Sequence, residues 1–181
     1  MTKINYLKDI SESKKPFIIY KTLKGFNLYT DFSKRIILTN KNIKNFINKT
    51  NKNKKKIKET DIFLGFFGYE ILNNLIGIKI KKQKGLKFPR GIFYKPETLI
   101  KLSNKLKYIS PTCNKSNKVF KINLSKVSYE NIFDRFKKKI KSGETYQIKI
   151  CTKYKNKSKI DPLDFFCRLT KTNMAPEAFM I

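Results

Sequence analysis

The spacing of apolar residues changes from a helical to a strand period at Gly143, and this change constrains the fold most. The helical stripe before the glycine consists of Tyr129, Ile132, Phe133, Phe136 and Ile140. These positions recur every three or four residues, as on one face of an α-helix. Ser128 is the predicted N-cap, and Gly143 is the predicted residue that ends the helix.

After the glycine, apolar and polar residues alternate, which predicts a β-strand. The positions predicted to share one face are Tyr146, Ile148, Ile150, Thr152 and Tyr154. Asp161 and Pro162 then predict the N-cap and first position of a second helix, with Leu163, Phe166 and Cys167 on its buried face. Residues 173–181 look like the beginning of another strand.

The first part of the chain predicts short strands with one helix between them. The predicted strands are Phe17–Tyr20, Phe26–Tyr29, Arg35–Thr39, Gly91–Tyr94 and Leu99–Ile109. Asn40 is the predicted cap of a helix that buries Ile43, Phe46 and Ile47, and Lys49–Lys58 is a predicted loop. Gly65 and Gly68 interrupt an apolar run and predict either a close approach of two backbones or a bulge, with the lining of a ligand cleft as an alternative role. Mixed strands and helices predict an α+β fold.

Pro111–Lys118 is polar and rich in turn formers, and it predicts the boundary between two parts. The predicted domains are therefore residues 1–118 and 119–181.

A net charge of +29 makes nucleic acid a candidate partner. The only arginines among the 42 basic residues are Arg35, Arg90, Arg135 and Arg168. Nucleic-acid sites favour arginine, because its guanidinium forms paired hydrogen bonds with phosphates and base edges. The lysines are also spread along the whole chain, so the charge alone decides little. A basic nucleic-acid-binding module remains an alternative.

The cysteines and histidines exclude several kinds of site. Cys113, Cys151 and Cys167 are widely spaced and form no zinc-binding or disulfide pattern. The chain has no histidine to activate a thiol, so Cys151 and Cys167 are predicted to be buried structural thiols. No run of 18 apolar residues and no apolar signal segment is present. We therefore expect a cytoplasmic protein without a membrane partner.

Several short motifs recur in an order typical of one enzyme family. The motifs are Gly143-Glu144-Thr145-Tyr146-Gln147-Ile148, Asp161-Pro162-Leu163, Arg168-Leu169 and Asn173-Met174-Ala175-Pro176. This order resembles the opening of the catalytic domain of chorismate-utilising enzymes, namely component I of aminodeoxychorismate synthase and anthranilate synthase. Gly65–Glu70 resembles the G-x-x-G-Y-[ED] segment upstream in that family.

The resemblance implies a fold and a reaction. The fold is the N-terminal part of an α/β sandwich of antiparallel sheets with outer helices. The reaction is amination of chorismate in a magnesium-dependent site, with ammonia supplied by a glutamine amidotransferase subunit. The magnesium-ligating glutamates and the catalytic histidine of the family have no counterpart here. We therefore expect a truncated chain that is inactive alone, with no catalytic residue and no metal ligand.

The resemblance also suggests a ligand site and a metabolic branch. Ala175 within Asn173–Pro176 favours the aminodeoxychorismate, or folate, branch over the anthranilate, or tryptophan, branch. In anthranilate synthases this segment and an L-L-E-S strand form the tryptophan pocket, but the matching strand here lacks L-E-S. A ligand pocket is expected between Tyr20, Lys21, Asn173, Ala175 and Pro176. A truncated, non-catalytic paralogue that docks on an amidotransferase is a further alternative.

Overall fold

The computed structural model describes residues 3–51, 58–71, 75–77, 88–103, 106–108 and 119–181. The chain divides into two compact units. One unit comprises Met1–Ile109 with Phe166–Ile181, and the other comprises Ser110–Phe165. Helices occur together with antiparallel strands, which confirms the predicted α+β class. The predicted boundary at Pro111–Lys118 lies outside the described residues, so the division into 1–118 and 119–181 stays a prediction.

The first unit contains a five-stranded antiparallel sheet. Its strands are β1 (Ile18–Thr22), β2 (Gly25–Ile37), β3 (Leu64–Phe67), β4 (Gly91–Leu102) and β7 (Ala178–Met180). Their order across the sheet is β3-β4-β2-β1-β7. The strand expected at the end of the sequence is therefore confirmed, and it pairs with β1 at one edge of the sheet.

Helices accompany this sheet in the described residues of the first unit. They are α1 (Lys3–Glu12), α2 (Ile43–Asn51) and a 3-10 turn at Tyr69–Ile71. Helix α1 was not predicted, because the polar start of the chain suggested no secondary structure. Leu7 explains it: the side chain is only 2% exposed, so this buried leucine anchors the helix.

Strands β2 and β4 are longer than the sequence predicted. Each joins two predicted strands across a polar stretch, and β4 ends at Leu102. The pairing register shifts between Phe32 and Lys34, and Pro96 lies opposite Phe32 at this irregularity. Proline lacks an N–H and is tolerated where the ladder is already interrupted. The bulge therefore lets both strands continue through residues that normally end a strand.

Helix α2 covers one end of the sheet and confirms the helix predicted after Asn40. It begins at Ile43 instead of following Asn40 directly. The side chain of Asn42 accepts a hydrogen bond from Thr39 N at 2.8 Å and donates one to the Ile37 carbonyl at 2.9 Å. The core cluster beneath the helix is Leu38, Ile43, Phe46, Ile71 and Phe93. Residues 49–51 of the predicted loop are helical, and residues 52–57 lie outside the described residues.

The two glycines of the apolar run allow β3 to lie close to β4, as predicted. A Cβ atom at Gly65 would lie 1.9 Å from the Ile92 carbonyl oxygen, and one at Gly68 would lie 2.7 Å from the Pro89 oxygen. Gly68 N also donates a hydrogen bond to the Arg90 carbonyl at 2.7 Å. Both glycines are therefore required by backbone packing.

In its described residues, the second unit contains a two-stranded antiparallel sheet and one long helix. The elements are β5 (Lys121–Ile122), α3 (Lys126–Lys141) and β6 (Tyr154–Lys155). The predicted N-cap Ser128 is wrong by one turn, because Ser128 N donates to the side chain of Ser125, which is the N-cap. Gly143 ends the helix as predicted, with φ at +74°. Gly143 N and Glu144 N bond the Ile140 and Lys139 carbonyls, which satisfies the last turn.

The strand predicted over Tyr146–Tyr154 is wrong except at its end. Only Tyr154 and Lys155 pair in a ladder, with Ile122 and Lys121. The alternation of the side chains cannot create a strand by itself, because the backbone N–H and C=O groups also need a neighbouring strand. Tyr146 is 91% exposed, and Cys151 is exposed instead of buried.

The apolar residues between Val119 and Pro162, in the second unit, are not buried. From Val119 to Pro162, a stretch that the structure describes throughout, no residue is buried. Tyr129, Phe133 and Ile140 of the predicted stripe are 40–47% exposed. The helix was therefore predicted correctly, but its apolar face contributes no buried core within this stretch.

Candidate ligand-binding site

Helix α4 (Pro162–Thr172) begins as the sequence predicts. Asp161 caps it, and its side chain accepts a hydrogen bond from Asp164 N at 2.9 Å. The predicted buried residues Leu163, Phe166 and Cys167 are 2%, 7% and 6% exposed. The ring of Phe166 meets that of Phe26 edge to face, with centroids 6.4 Å apart. This contact fixes the second half of α4 against the start of β2.

Removal of the Asp161 cap is expected to lower stability without changing the fold. Asp161→Ala leaves the amide of Asp164 without its side-chain acceptor, which costs about 1 kcal/mol for a typical N-cap. Asp161→Asn keeps an acceptor at the same place and is expected to cost much less. Chemical denaturation monitored by circular dichroism measures both variants. Equal losses for alanine and asparagine would contradict a capping role.

The segment after α4 returns to the sheet next to β1. Lys21 pairs with Ala178, Tyr20 with Phe179, and Ile19 with Met180. The Lys21 ammonium group donates a hydrogen bond of 2.7 Å to the Ala175 carbonyl. This contact joins positions that are 154 residues apart and holds the segment before β7 over the end of β1.

A cavity of about 630 Å³ lies in the first unit beside this contact. We call it the Lys21 pocket. Its lining residues are Lys21, Thr22, Leu23, Phe26, Leu106, Lys107, Cys167, Thr170, Lys171, Met174, Ala175 and Pro176. Among the residues that the structure describes, the lining includes three lysines and no aspartate or glutamate. The pocket therefore combines an apolar wall with positive charge.

Three of the five predicted site residues line this pocket, and two do not. Lys21, Ala175 and Pro176 belong to its lining. Tyr20 instead packs its ring against Phe179, with centroids 6.3 Å apart. Asn173 is exposed, and its N–H donates to the Leu169 carbonyl at 2.8 Å, which ends α4.

Several lining residues were missed because they come from distant parts of the chain. Lys107 follows β4, Lys171 lies in the last turn of α4, and Phe26 begins β2. Lys171 lies two residues before Asn173, so the motif itself pointed to its neighbourhood. No local pattern indicates that Lys107 is near it.

Tyr20 is in an environment that opposes its ionisation. Burial raises the pKa of the Tyr20 hydroxyl above its ordinary value of 10.0, and a hydrogen bond and negative charge from Glu177 raise it further. The phenol is therefore a hydrogen-bond donor to the Glu177 carboxylate at neutral pH.

Alkaline pH is expected to weaken this corner of the sheet. Because the folded-state pKa of Tyr20 is raised, its stabilising effect is complete below pH 10.0 and is lost as the pH rises through the folded pKa. Spectrophotometric titration of tyrosinate should show that wild type has one more late-titrating tyrosine than Tyr20→Phe. Glu177→Gln should lower that pKa while leaving the effect of burial. An unchanged titration in Tyr20→Phe would contradict the assignment.

A second cavity of about 440 Å³ lies between α1 and β2, and the sequence did not predict it. Its lining includes Tyr6, Asp9, Lys15, Asp31 and Phe32. Hydrogen bonds from Thr98 and Thr30 lower the pKa of the Asp31 carboxyl group, and Asp31 has a left-handed φ of +50°. The charges that line this second cavity have both signs, so they favour no single class of ligand.

A magnesium site finds no support among the described residues. They contain no group of three histidine, cysteine, aspartate or glutamate side chains placed to hold a metal ion. Magnesium is usually bound through carboxylates with water or phosphate. The residues present do not fit the metal that the resemblance implies, so no step of a reaction is assigned to it. None of the described helices has the length and apolarity needed to cross a bilayer.

The comparison with protein families assigns part of the chain. Residues 110–181 match the family model described as chorismate binding enzyme. The match supports the chorismate-utilising enzyme family. The matched segment contains α3, the motif at Gly143, α4 and the Asn173–Pro176 segment. The match does not distinguish the aminodeoxychorismate branch from the anthranilate branch. Comparison with curated proteins gave no match.

Proposed function

We propose that the chain belongs to a synthase that aminates chorismate. The observation that carries this proposal is the family match over residues 110–181. The motif residues also have structural roles, as expected for residues of a folded domain. Gly143 ends α3, Asp161 caps α4, and Asn173 N bonds the last turn of α4.

The proposed product of this synthase is aminodeoxychorismate, which belongs to the folate branch. Ala175 within Asn173–Pro176 supports that branch, as does the absence of an L-E-S strand near Tyr20. Magnesium ligands would come from outside the described residues, and ammonia would come from a glutamine amidotransferase subunit in the cytoplasm. The resemblance of the motifs supports these two parts of the proposal.

A ligand pocket at the end of β1 is part of the same proposal. Lys21, Ala175 and Pro176 line it, while Tyr20 and Asn173 support its edges through the contact with Phe179 and the end of α4. A cavity of about 630 Å³ is within the usual range for small-molecule sites.

Product analysis tests the reaction. The open reading frame is expressed from the Met1 codon to its own stop codon, and the purified protein is given chorismate, magnesium and ammonium. Ammonium replaces the amidotransferase subunit. We expect aminodeoxychorismate by mass spectrometry, and no product when ammonium or magnesium is omitted. Anthranilate would move the protein to the tryptophan branch, and no amination would reject the proposed function.

A further inference from the structure

We propose that the Lys21 pocket binds a small organic anion with an apolar body and without a free amino group. This inference deepens the ligand-pocket part of the proposed function and rests on it. It names the chemical class of the ligand from the charges and walls of the pocket.

The charged residues in the described lining of the pocket all have the same sign. Lys21, Lys107 and Lys171 belong to the lining, and no described carboxylate forms an ion pair with any of them. The ammonium group of Lys21 donates to Ala175 at 2.7 Å, and an ammonium group has two further N–H donors. An anion can therefore be bound without breaking an existing ion pair.

The C-terminal end of α4 contributes negative charge, which opposes the binding of an anion. Its unpaired carbonyls are equivalent to roughly half a negative charge, whereas the lysines supply three positive charges. Thr170 also donates its hydroxyl to the Phe166 carbonyl at 2.9 Å, and Thr172 donates to the Arg168 carbonyl at 3.2 Å. At the helix end itself, the Leu169 carbonyl accepts hydrogen bonds from Asn173 N at 2.8 Å and from the Thr172 hydroxyl at 3.2 Å, which partly satisfies the last turn. The balance remains positive.

The remaining walls favour an apolar body over a bare inorganic ion. Leu23, Phe26, Leu106, Met174 and Pro176 contribute apolar surface. A ring or short hydrocarbon chain would remove this surface from water, and apolar burial contributes roughly 25 cal/mol per Å². Sulfate or phosphate could contact the lysines but could not use these walls.

The described lining contains no carboxylate that could accept a hydrogen bond from a free amino group of a ligand. Glu177 is close in sequence, but its carboxylate accepts the hydrogen bond of Tyr20, and Glu177 is not part of the lining. The Ala175 carbonyl already accepts a hydrogen bond from the Lys21 ammonium group, so a second ammonium group at this oxygen would lie against a like charge. A zwitterionic amino acid would bring its ammonium group among three lysines, which is unfavourable.

Calorimetric titration of the chain with three probes tests the inference. The probes are isophthalate, an aromatic dianion; tryptophan, an aromatic zwitterion; and sulfate, a dianion without an apolar body. Isophthalate is expected to bind at least tenfold more tightly than either of the others. Measurements at 0.15 M salt limit long-range attraction, since the Debye length is then about 8 Å.

Matched lysine variants locate the binding. The double variant Lys107→Gln/Lys171→Gln removes two charges from the pocket and should weaken isophthalate binding at least tenfold. Lys137→Gln/Lys141→Gln removes two charges from α3, outside the lining, and should change binding less than twofold. Circular dichroism and melting temperatures should remain those of wild type in both.

Each contrary result overturns the inference. These results are tryptophan binding as tightly as isophthalate, sulfate binding as tightly as isophthalate, equal weakening by both double variants, or no binding of isophthalate. Amination of chorismate is measured separately. Isophthalate binding without amination therefore rejects the proposed reaction alone, and amination without isophthalate binding rejects only the pocket inference.

Discussion

Gly65→Ala is expected to destabilise the first unit strongly. The new methyl carbon would lie 1.9 Å from the Ile92 carbonyl oxygen and 2.7 Å from the Cα of Phe93. Both atoms belong to the backbone of β4, so no side chain can rotate away. Strand β3 must separate from β4, which exposes part of the cluster around Phe93. We expect a loss of about 3 kcal/mol or more in the free energy of unfolding.

Gly143→Ala is the matched control, since it adds the same methyl group in open space. No atom lies within 4 Å of the added carbon, and only the φ of +74° opposes the substitution. A left-handed alanine costs about 1–2 kcal/mol. Urea denaturation of both variants gives the difference. Similar losses at the two positions would mean that β3 does not approach β4 as closely as described.

The second prediction concerns the uncovered apolar residues of the second unit. Hydrogen exchange is expected to be much faster in α3 than in β2. Helix α3 has no buried residue, whereas Leu28 and Tyr29 of β2 are 0% and 5% exposed. Amides in a strand of the core open with free energies close to global unfolding, about 5–15 kcal/mol, while those in poorly packed elements open far more readily. Mass spectrometry of peptic peptides measures the contrast.

One substitution in each unit distinguishes the contribution of side-chain packing from that of local secondary-structure propensity. Phe133→Gln should change the free energy of unfolding by less than about 0.5 kcal/mol, because the side chain is 47% exposed. It should also reduce aggregation and the binding of a hydrophobic dye, since large exposed apolar residues favour both. Ile19→Ala, at a fully buried position, should cost about 2–5 kcal/mol. Slow hydrogen exchange in α3, or a large loss in the free energy of unfolding for Phe133→Gln, would show that the apolar face of α3 is covered.

Several local signals in the sequence were reliable, although the N-cap of α3 was predicted one turn too late. The Asp161 cap, the Gly143 stop and the buried face of α4 depend on residues within one or two turns, and all were predicted. The close approach of β3 to β4 at Gly65 was also predicted, because a glycine that interrupts an apolar run indicates that another backbone lies close to it. Where the cause is distant, prediction failed. The alternation over 146–154 lacks a neighbouring strand, and β2 continues through its polar stretch because β4 is its partner.

The same distinction applies to the Lys21 pocket. Lys21, Ala175 and Pro176 were predicted from motifs, and the pairing of β1 with β7 brings them together. Lys107 is brought there by the course of the chain after β4, which no short pattern encodes. The charge of the pocket, and with it the class of ligand, therefore became apparent only from the fold.

The pairing of β1 with β7 has a consequence for biosynthesis. Lys21 leaves the ribosome 154 residues before Ala175. At 5–20 residues per second, the outer edge of β1 remains without its neighbour for roughly 10–30 s. During that interval the unpaired backbone groups of Ile19 to Lys21 can accept strands from other nascent chains. Faster translation or a chaperone that covers this edge should therefore increase the yield of folded protein.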